Sequence, residues 1–238
     1  MRKIIFATNN VHKLAEARQI LGPKFELTTP ADHGITEDIP EKEATLLGNA
    51  LAKARYVHER TGLDCFADDT GLEVTALKGA PGVHSARYAE MAAAAAASGE
   101  GASASASAST PTAAASAAVP TSAPAQGVLH PAPPALSGHD AAANMALLLK
   151  NMEGVEDRRA KFHTVVALVL GGREHTFDGE VRGHIAAAPA GTGGFGYDPV
   201  FIPEGYSETF AQMSAAEKNA MSHRARAIQR LAAYLKKH

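Results

Sequence analysis

The sequence predicts an α/β fold in which helices flank a long mixed β-sheet. Short apolar runs alternate with helical patterns at both ends of the chain, the order expected when helices cover a sheet. Two long strand patterns, residues 161–170 and 174–186, follow each other directly and are expected to pair, which makes the sheet mixed. The 238 residues, 45% of them hydrophobic, are enough for a buried core.

The first half of the chain contains two helical patterns among four strand patterns. The predicted strands are residues 3–7, 25–27, 64–67 and 72–77, and the predicted helices are residues 13–21 and 43–59. A turn at residues 68–71 is expected to separate the last two strands. The side chains expected on the core side of the second helix are Leu47, Ala50, Leu51, Ala54 and Val57.

The second half begins with a predicted helix at residues 141–152, which precedes the two paired strands. Ser214 and Glu217 form a capping-box pattern that opens one final helix. The residues of this helix expected to face inward are Met221, Ala225, Ile228, Leu231 and Leu235.

A low-complexity segment at residues 89–136 interrupts what we predict to be a single domain spanning residues 1–238. It consists mainly of Ala, Ser, Pro, Thr and Gly, and no Lys or Arg occurs between Arg87 and Lys150. Small side chains bury too little apolar area to offset chain entropy, so we expect a disordered surface insertion. Its alanine run at 91–97 is compatible with a helix that extends from the anchor.

Composition excludes several classes of protein. The formal net charge of −2 offers no basic surface for nucleic acid, so no nucleic-acid partner is expected. A single cysteine, Cys65, rules out an internal disulfide framework and a thiolate zinc site, and fits a reducing cytoplasm. No apolar run approaches the roughly 20 residues of a membrane helix, so no membrane partner is expected.

The first polar cluster, Thr8, Asn10 and Lys13, follows the first strand and opens the first helix. Unpaired backbone N–H groups and the helix dipole favour an anion there, which suits a phosphate. An ordinary Asn N-cap beside a solvated lysine explains the same residues. No Gly-Lys dipeptide occurs, which excludes a Walker-type phosphate loop.

The second cluster recurs at every fourth residue: Glu41, Thr45, Asn49 and Lys53. If one helix covers all four, they form one polar stripe opposite the leucines, and a solvent-facing stripe is the simpler interpretation. Against that interpretation, Gly48 and Asn49 are poor residues for a helix interior, a cost that sequences accept where a site needs it. Lys53 would then reach a phosphate and Glu41 would face a metal.

The third cluster, Asp68-Asp69-Thr70-Gly71, places two carboxylates at the end of a buried strand, the usual position of ligand sites in open α/β sheets. Carboxylates near a metal-bound triphosphate can coordinate Mg²⁺ and accept a proton from an attacking water. A simple turn is the alternative explanation of these four residues.

The fourth cluster, residues 191–196, fits G-x-G-x-x-G but lacks the strand before it and the helix after it that a dinucleotide-binding fingerprint requires. Pro199 disfavours helix at Asp198. The glycines instead indicate a tight loop that approaches a flat ligand, with Phe195 or Tyr197 stacking on a base. Phe195 could equally plug the core beneath the loop.

The fifth cluster is Ser222-His223-Arg224, with Lys218 one turn earlier in the final predicted helix. Hydrogen-bond donors near a helix start suit the carbonyl oxygen of a 6-oxopurine, whereas the 6-amino group of adenine would oppose donor to donor. A solvated basic helix end is the alternative.

Together these clusters resemble the inosine triphosphate pyrophosphatase family over nearly the whole chain outside the insertion. The resemblance is specific in combination and rests on Asp-Asp-Thr-Gly-Leu (68–72), Ala-Pro-Gly-Val-His-Ser-Ala-Arg-Tyr (80–88), Gly-Gly-Phe-Gly-Tyr-Asp-Pro (193–199) and Glu-Lys-Asn-Ala-Met-Ser-His-Arg (217–224). In that family the point occupied by the insertion is a short connection, so the insertion is a departure.

The resemblance implies roles for individual residues. Asp69 is the expected catalytic proton acceptor, and Glu41 and Asp69 are the expected Mg²⁺ ligands. Arg87 is expected to support the phosphate side. The expected substrate contacts are Thr8, Asn9, Asn10, Val11, His12, Lys13, Lys53, Thr70, Phe195, Gly196, Tyr197, Asp198, Lys218, His223 and Arg224.

The resemblance also implies the reaction and the overall shape. Water would attack the α-phosphorus of a non-standard purine nucleoside triphosphate (ITP, dITP or XTP) and release the monophosphate and pyrophosphate, which clears the nucleotide pool. The implied fold has two lobes around a central nucleotide cleft, and the implied assembly is a homodimer. Localisation in the cytoplasm is expected.

Two other functions compete with this one. A Maf-like nucleotide pyrophosphatase shares the architecture but prefers other bases, and its Ser-rich N-terminal signature with paired arginines differs from residues 7–13 here. A nucleotide-binding module without turnover is the other alternative. The presence of both Asp69 and Lys53 argues against it, because a mere binder has little use for a placed general base.

Overall fold

The structure, a computed structural model, describes residues 2–98 and 140–238. The strands are β1 (Arg2–Phe6), β2 (Phe25–Thr28), β3 (Cys65–Val74), β4 (Pro81–Gly82), β5 (Arg159–Leu170), β6 (Arg173–Ile185) and β7 (Phe201–Pro203). They form one sheet in the order β2-β1-β3-β5-β6-β7, with β4 paired to β3 beside that path. β1 is parallel to β2 and β3, whereas the other pairs are antiparallel. The predicted α/β fold with a mixed sheet is confirmed.

The helices are α1 (Val11–Leu21), α2 (Leu46–Thr61), α3 (Tyr88–Ser98), α4 (Ala141–Asn151), α5 (Ala215–Met221) and α6 (His223–Leu235). α1 and α6 share a core with Phe66 of β3, and α2 shares a second core with Ala67. A third core includes residues of α4, and Leu72 is the first residue of β3 that belongs to it. Asp68, Asp69 and Thr70 therefore separate the cores along β3, in agreement with two lobes around a cleft. Among the described residues, no helix has the length and apolar character needed to cross a bilayer.

The turn predicted at residues 68–71 is wrong, because these residues belong to β3. Every residue from Cys65 to Val74 pairs with a residue of β5, so a single strand runs through Asp68-Asp69-Thr70-Gly71. Continuous pairing with a buried strand outweighs the local turn propensity of these residues. Because side chains alternate along a strand, Asp68 and Asp69 point to opposite faces of the sheet.

α2 begins later than predicted. Thr45 is its N-cap and accepts a hydrogen bond from Gly48 N, so Glu41 and Thr45 lie outside the helix and the four-residue helical stripe is wrong. Ala50, Ala54 and Val57 are buried as predicted, but Leu47 is 44% exposed. Asn49 and Lys53 are only 3% and 6% exposed, because the face that carries them packs toward the sheet.

The single final helix is also wrong, because Ser222 divides it into α5 and α6. Ser222 has extended backbone angles, φ −63° and ψ 159°, and its hydroxyl caps α6 by accepting from Ala225 N. Serine favours this N-cap position over a helix interior. The predicted capping box of Ser214 and Glu217 is confirmed at the start of α5. His223 and Arg224 therefore open a new helix.

The predicted insertion begins within the described part of the chain. Residues 89–98 belong to α3, as the alanine run at 91–97 indicated. Asn144 of α4 anchors this helix: its amide accepts from Ala89 N and donates to Ala86 O, both at 2.8 Å. The remaining residues of the insertion, 99–136, lie outside the described residues.

Candidate functional site

The candidate site lies on β3 beyond the carboxyl end of β1. β1 follows β3 only as far as the pair Phe6 and Phe66, and β4 joins the same edge at Leu72. Asp68, Asp69 and Thr70 lie in the interval between these two strands. An interval of this kind, past the carboxyl end of a parallel strand, is where open α/β sheets usually bind ligands.

The start of α1 enters this interval. Asn10 is the N-cap and accepts hydrogen bonds from His12 N at 2.9 Å and Lys13 N at 3.2 Å. The N-cap interpretation of Asn10 is therefore correct, but Lys13 is not a solvated lysine. Its Nζ lies 3.0 Å from Asp68 Oδ1, and its side chain is 16% exposed. The preceding turn is tied by Thr8 Oγ1, which accepts from Asn10 N at 3.2 Å.

Asp68 is held from two sides. Lys13 Nζ contacts one carboxylate oxygen and Arg224 Nε contacts the other, each at 3.0 Å. Burial opposes ionisation of Asp68, but Lys13 and Arg224 outweigh it and lower its pKa well below the ordinary range. Asp68 thus stays charged and fixes Lys13 at the start of α1 and Arg224 of α6.

Glu16 extends this ionic contact and was missed by the sequence analysis. It binds Arg224 Nη1 through one oxygen and Lys218 Nζ through the other, the latter at 2.7 Å. Lys218 Nζ also lies 2.6 Å from Asp198 Oδ2. Burial raises the pKa of Glu16, but Arg224 and Lys218 together lower it below its ordinary value. In sequence, the only signal was its position one turn after Lys13 on α1.

Asp69 lies on the opposite face of the sheet, against α2. Lys53 Nζ donates to Oδ1 at 3.2 Å and Asn49 Nδ2 donates to Oδ2 at 3.1 Å. Lys53 Nζ also contacts Glu41 Oε1 at 2.6 Å, so the two predicted metal ligands share one ammonium. Burial raises the pKa of Asp69 above its ordinary value, against the opposing charges of Lys53 and Lys13. Asp69 is thereby a better proton acceptor than an exposed aspartate.

Three further contacts join these elements. Thr70 Oγ1 lies 2.7 Å from Thr164 Oγ1 of β5 and accepts from Arg224 Nη2 at 3.3 Å. Arg87 Nη2 donates to the backbone oxygen of Glu41 at 3.0 Å. Arg87 therefore supports the segment that carries Glu41.

The glycine-rich loop closes against α1 and α5. Phe195 N donates to Asp198 Oδ2 at 2.7 Å, and a Cβ on Gly194 would lie 2.1 Å from that same oxygen, so the loop requires glycine there. The short 3₁₀ turn Asp198–Val200 follows instead of an α-helix, which confirms that the loop is not a dinucleotide fingerprint.

Phe195, rather than Tyr197, presents a ring to the site. Phe195 is partly exposed, its ring stacks with that of His12 at 5.3 Å between centroids, and Lys218 Nζ lies 5.0 Å from its centroid. Tyr197 is 5% exposed and its hydroxyl donates to Ser85 O at 2.9 Å. The two candidates for base stacking are thus separated: Tyr197 is a core residue and Phe195 remains available.

His223 is buried at the start of α6 and stacks on Phe162 at 4.5 Å. Among the described residues its Nδ1 is one of two buried side-chain polar atoms without a hydrogen-bond partner. Burial, and then the charges of Arg224 and Lys218, lower the pKa of His223 well below its ordinary value, so the imidazole is neutral at pH 7. An orphaned buried nitrogen is the kind of group that a ligand satisfies.

The carboxylates that could hold a metal are Glu41 and Asp69. Across residues 2–98 and 140–238, no cluster of three or more His, Cys, Asp or Glu side chains forms a metal site. A pair of carboxylates nonetheless suits Mg²⁺, which commonly binds through one or two of them and completes its shell with water and substrate phosphates. The donor set therefore fits the ion.

A separate cavity of about 750 Å³ opens at the far ends of β3, β5 and β6. Lys161 in its wall pairs with Glu73 at 3.3 Å and Glu180 at 2.9 Å, and Arg182 pairs with Glu180 at 3.1 Å. None of the residues around Asp69 lines this cavity, which therefore stands apart from that site.

Comparison with known proteins gives consistent results. The Ham1 family model matches residues 4–130 and 127–234. A dITP/XTP pyrophosphatase of Porphyromonas gingivalis is 45% identical over 236 residues, covering 99% of this chain and 98% of the relative. One of Flavobacterium johnsoniae is 38% identical over 229 residues, covering 96% of this chain and 95% of the relative.

Solved structures agree with these relatives. A HAM1 protein from Coxiella burnetii has a TM-score of 0.72 and 30% identity, covering 100% of this chain and 100% of that one. A nucleoside-triphosphatase or dITP/XTP pyrophosphatase from Mycobacterium abscessus has a TM-score of 0.62 and 38% identity, covering 96% of this chain and 98% of that one.

Proposed function

Because this chain belongs to the Ham1 family, we propose that it hydrolyses dITP, XTP and ITP to the nucleoside monophosphate and pyrophosphate in the presence of Mg²⁺. One observation carries the proposal. An unbroken series of ionic contacts runs from the start of α1 to the glycine-rich loop and joins motifs that are far apart in sequence. Its members in order are Lys13, Asp68, Arg224, Glu16, Lys218 and Asp198.

The triphosphate would lie at the start of α1. Residues 8–13 lie at the positive end of the α1 helix dipole, which favours an anion. Lys13, which is partly buried, and Lys53, which is buried, add two ammonium groups close to Asp68 and Asp69. These positive charges would stabilise the charge that develops on the leaving pyrophosphate.

Glu41 and Asp69 would hold Mg²⁺, and Thr70 would contact phosphate or sugar. When bound, the ion neutralises charge on the phosphate oxygens. Lys53 lies between the two carboxylates in this structure, at 2.6 Å and 3.2 Å. It would turn toward a phosphate when the nucleotide enters.

Asp69 would act as the proton acceptor. A water would attack the α-phosphorus while the bond to the oxygen that bridges to the β-phosphorus breaks, and Asp69 would take the proton. Burial raises the pKa of Asp69 above its ordinary value, which makes the carboxylate more basic in the metal-free protein. Asn49 keeps Asp69 Oδ2 oriented, and Lys53 contacts Oδ1 until the nucleotide enters.

The base would stack on Phe195 and point its edge at α6. Lys218 and Arg224, together with the neutral His223, would supply N–H donors at this end of the site. A 6-oxo group accepts such hydrogen bonds, whereas a 6-amino group would oppose them, so hypoxanthine and xanthine are favoured over adenine. Gly196 and the rest of the loop would approach the base closely.

The test is pyrophosphate release by purified protein with Mg²⁺ on ITP, XTP, dITP, ATP, GTP, dTTP and UTP. We expect strong selectivity for the inosine and xanthine nucleotides, and loss of turnover when a chelator removes the metal. Preference for pyrimidine nucleotides would favour the Maf-like alternative. Binding of nucleotide without any turnover would leave the non-catalytic module. The homodimer and the cytoplasmic localisation stay predictions.

A further inference from the structure

Asn49 connects the two carboxylates of the proposed metal site through the protein backbone. We infer that Asn49 is a positioning residue, which fixes Asp69 relative to the segment that carries Glu41. The inference rests on the proposed function, because it assigns Asn49 a part in that same reaction. Asn49 itself is not placed in contact with substrate.

Both ends of the Asn49 amide are used. Nδ2 donates to Asp69 Oδ2 at 3.1 Å, and Oδ1 accepts from Glu43 N at 3.0 Å. Asp69 is a carboxylate that only accepts and Glu43 N is a backbone group that only donates, so the amide has one orientation that satisfies both. The residue is 3% exposed, and the loss of either contact would leave a poorly solvated polar group.

The segment that contains Glu43 packs so closely against α2 that residue 48 has no room for a side chain. A Cβ at Gly48 would lie 2.7 Å from Glu43 Cβ and 3.1 Å from Thr45 Oγ1. Any larger residue would push this segment away from the helix and lengthen the contact between Glu43 N and Asn49. Gly48 and Asn49 lie in the first turn of α2, and the close approach of the Glu43 segment explains both residues.

Lys53 and Asn49 hold Glu41 in different ways, Lys53 through the carboxylate and Asn49 through the backbone of the same segment. Lys53 contacts the Glu41 carboxylate at 2.6 Å, and it is the cation expected to move when nucleotide binds. Arg87 holds the backbone oxygen of Glu41 at 3.0 Å. Asn49 needs no such movement, because its partners are a strand residue and a backbone N–H. It therefore keeps the Glu41 segment beside Asp69 after Lys53 turns away.

The test compares Asn49→Ala with Val57→Ala, a matched control in the same helix. Val57 is fully buried on the core side of α2, and truncating it destabilises the fold without removing a contact to Asp69 or Glu43. Measured quantities are kcat and KM for dITP, the half-saturating Mg²⁺ concentration and Tm. For Asn49→Ala we expect kcat to fall about 10- to 100-fold and the Mg²⁺ requirement to rise, with KM changed less than about threefold.

A second variant, Gly48→Ala, separates positioning from stability. Alanine improves helix propensity but displaces the Glu43 segment. We therefore expect Gly48→Ala to raise the Mg²⁺ requirement while lowering Tm less than Val57→Ala does. This measurement decides the inference if Asn49→Ala does not fold. Suppose that the wild type is active, and that Asn49→Ala and Gly48→Ala have the same kcat and Mg²⁺ requirement as Val57→Ala. That result refutes the inference about Asn49 but leaves the proposed function standing. A wild type without turnover refutes the proposed function and the inference with it.

Discussion

Asp68 and Asp69 are adjacent in sequence but face opposite sides of β3, and their surroundings differ. Asp68 has a cation on each oxygen, Lys13 and Arg224, and its pKa is lowered despite burial. Asp69 shares its cation, Lys53, with Glu41, and burial raises its pKa. A doubly paired carboxylate is a poor proton acceptor and a good scaffold. We therefore expect substitutions on the Asp69 face to lower kcat and those on the Asp68 face to raise KM or reduce stability.

The largest effect is expected for Asp69→Asn. The amide keeps the shape of the side chain but cannot accept the proton, and we expect kcat on dITP to fall about 10²- to 10⁴-fold. Tm should fall modestly, because Asn can still accept from Lys53 but its Nδ2 would face Asn49 Nδ2, donor against donor. Steady-state kinetics together with equilibrium binding of dITP check this.

Asp68→Asn serves as the matched neighbour of that variant. The same chemical change one residue away should leave kcat within about tenfold of wild type, since Asp68 takes no proton in the proposed reaction. Equal losses of kcat in the two variants would contradict the division of the two faces.

Asp68→Asn should instead lower stability. It leaves the buried guanidinium of Arg224 and the ammonium of Lys13 without their shared anion, and breaking a buried pair from one side costs about 3 kcal/mol. Urea unfolding followed by circular dichroism measures this free energy. KM for dITP should rise as well, because both cations are expected to contact the nucleotide. A free energy of unfolding equal to that of wild type would show that Glu16 alone fixes Arg224.

The contrast between the two aspartates also shows what the sequence could predict. The order of motifs identified the family, and the apolar periods placed most strands and helices. Local patterns failed where tertiary contacts override them. Asp68-Asp69-Thr70-Gly71 has the composition of a turn, yet pairing with β5 keeps it extended. Only that extension sends the two carboxylates to different faces.

Glu16 was missed for a related reason. On α1 alone it is an ordinary polar residue between Leu14 and Ala17, and only the packing of α1 against α6 and α5 brings Arg224 and Lys218 to it. The division of the last helix at Ser222 was missed too, because the apolar period continues through it. Side chains that act through contacts distant in sequence leave little trace in a local pattern.

A smaller effect is expected at Phe195, which lies on the Asp68 face of the site, where the base would bind. Phe195→Leu removes the flat ring that the base would stack on, and we expect KM for dITP to rise about tenfold with kcat nearly unchanged. Tyr197→Phe is the control: it loses the hydrogen bond to Ser85 O, which should cost about 1 kcal/mol of stability and leave KM unchanged. A rise in KM for Tyr197→Phe that matches Phe195→Leu would show that the Tyr197 hydroxyl acts in nucleotide binding.

The smallest effect is expected for His12→Ala. The His12 ring stacks on Phe195 with 16° between the planes and so links the start of α1 to the glycine-rich loop. An aromatic pair of this kind contributes about 1 kcal/mol, so its loss should loosen the loop and raise KM for dITP about threefold without changing kcat. Steady-state kinetics on His12→Ala and on the double variant with Phe195→Leu measure the coupling. If KM falls instead, His12 competes with the base for the Phe195 ring, and the stack would be a contact that the nucleotide displaces on entry.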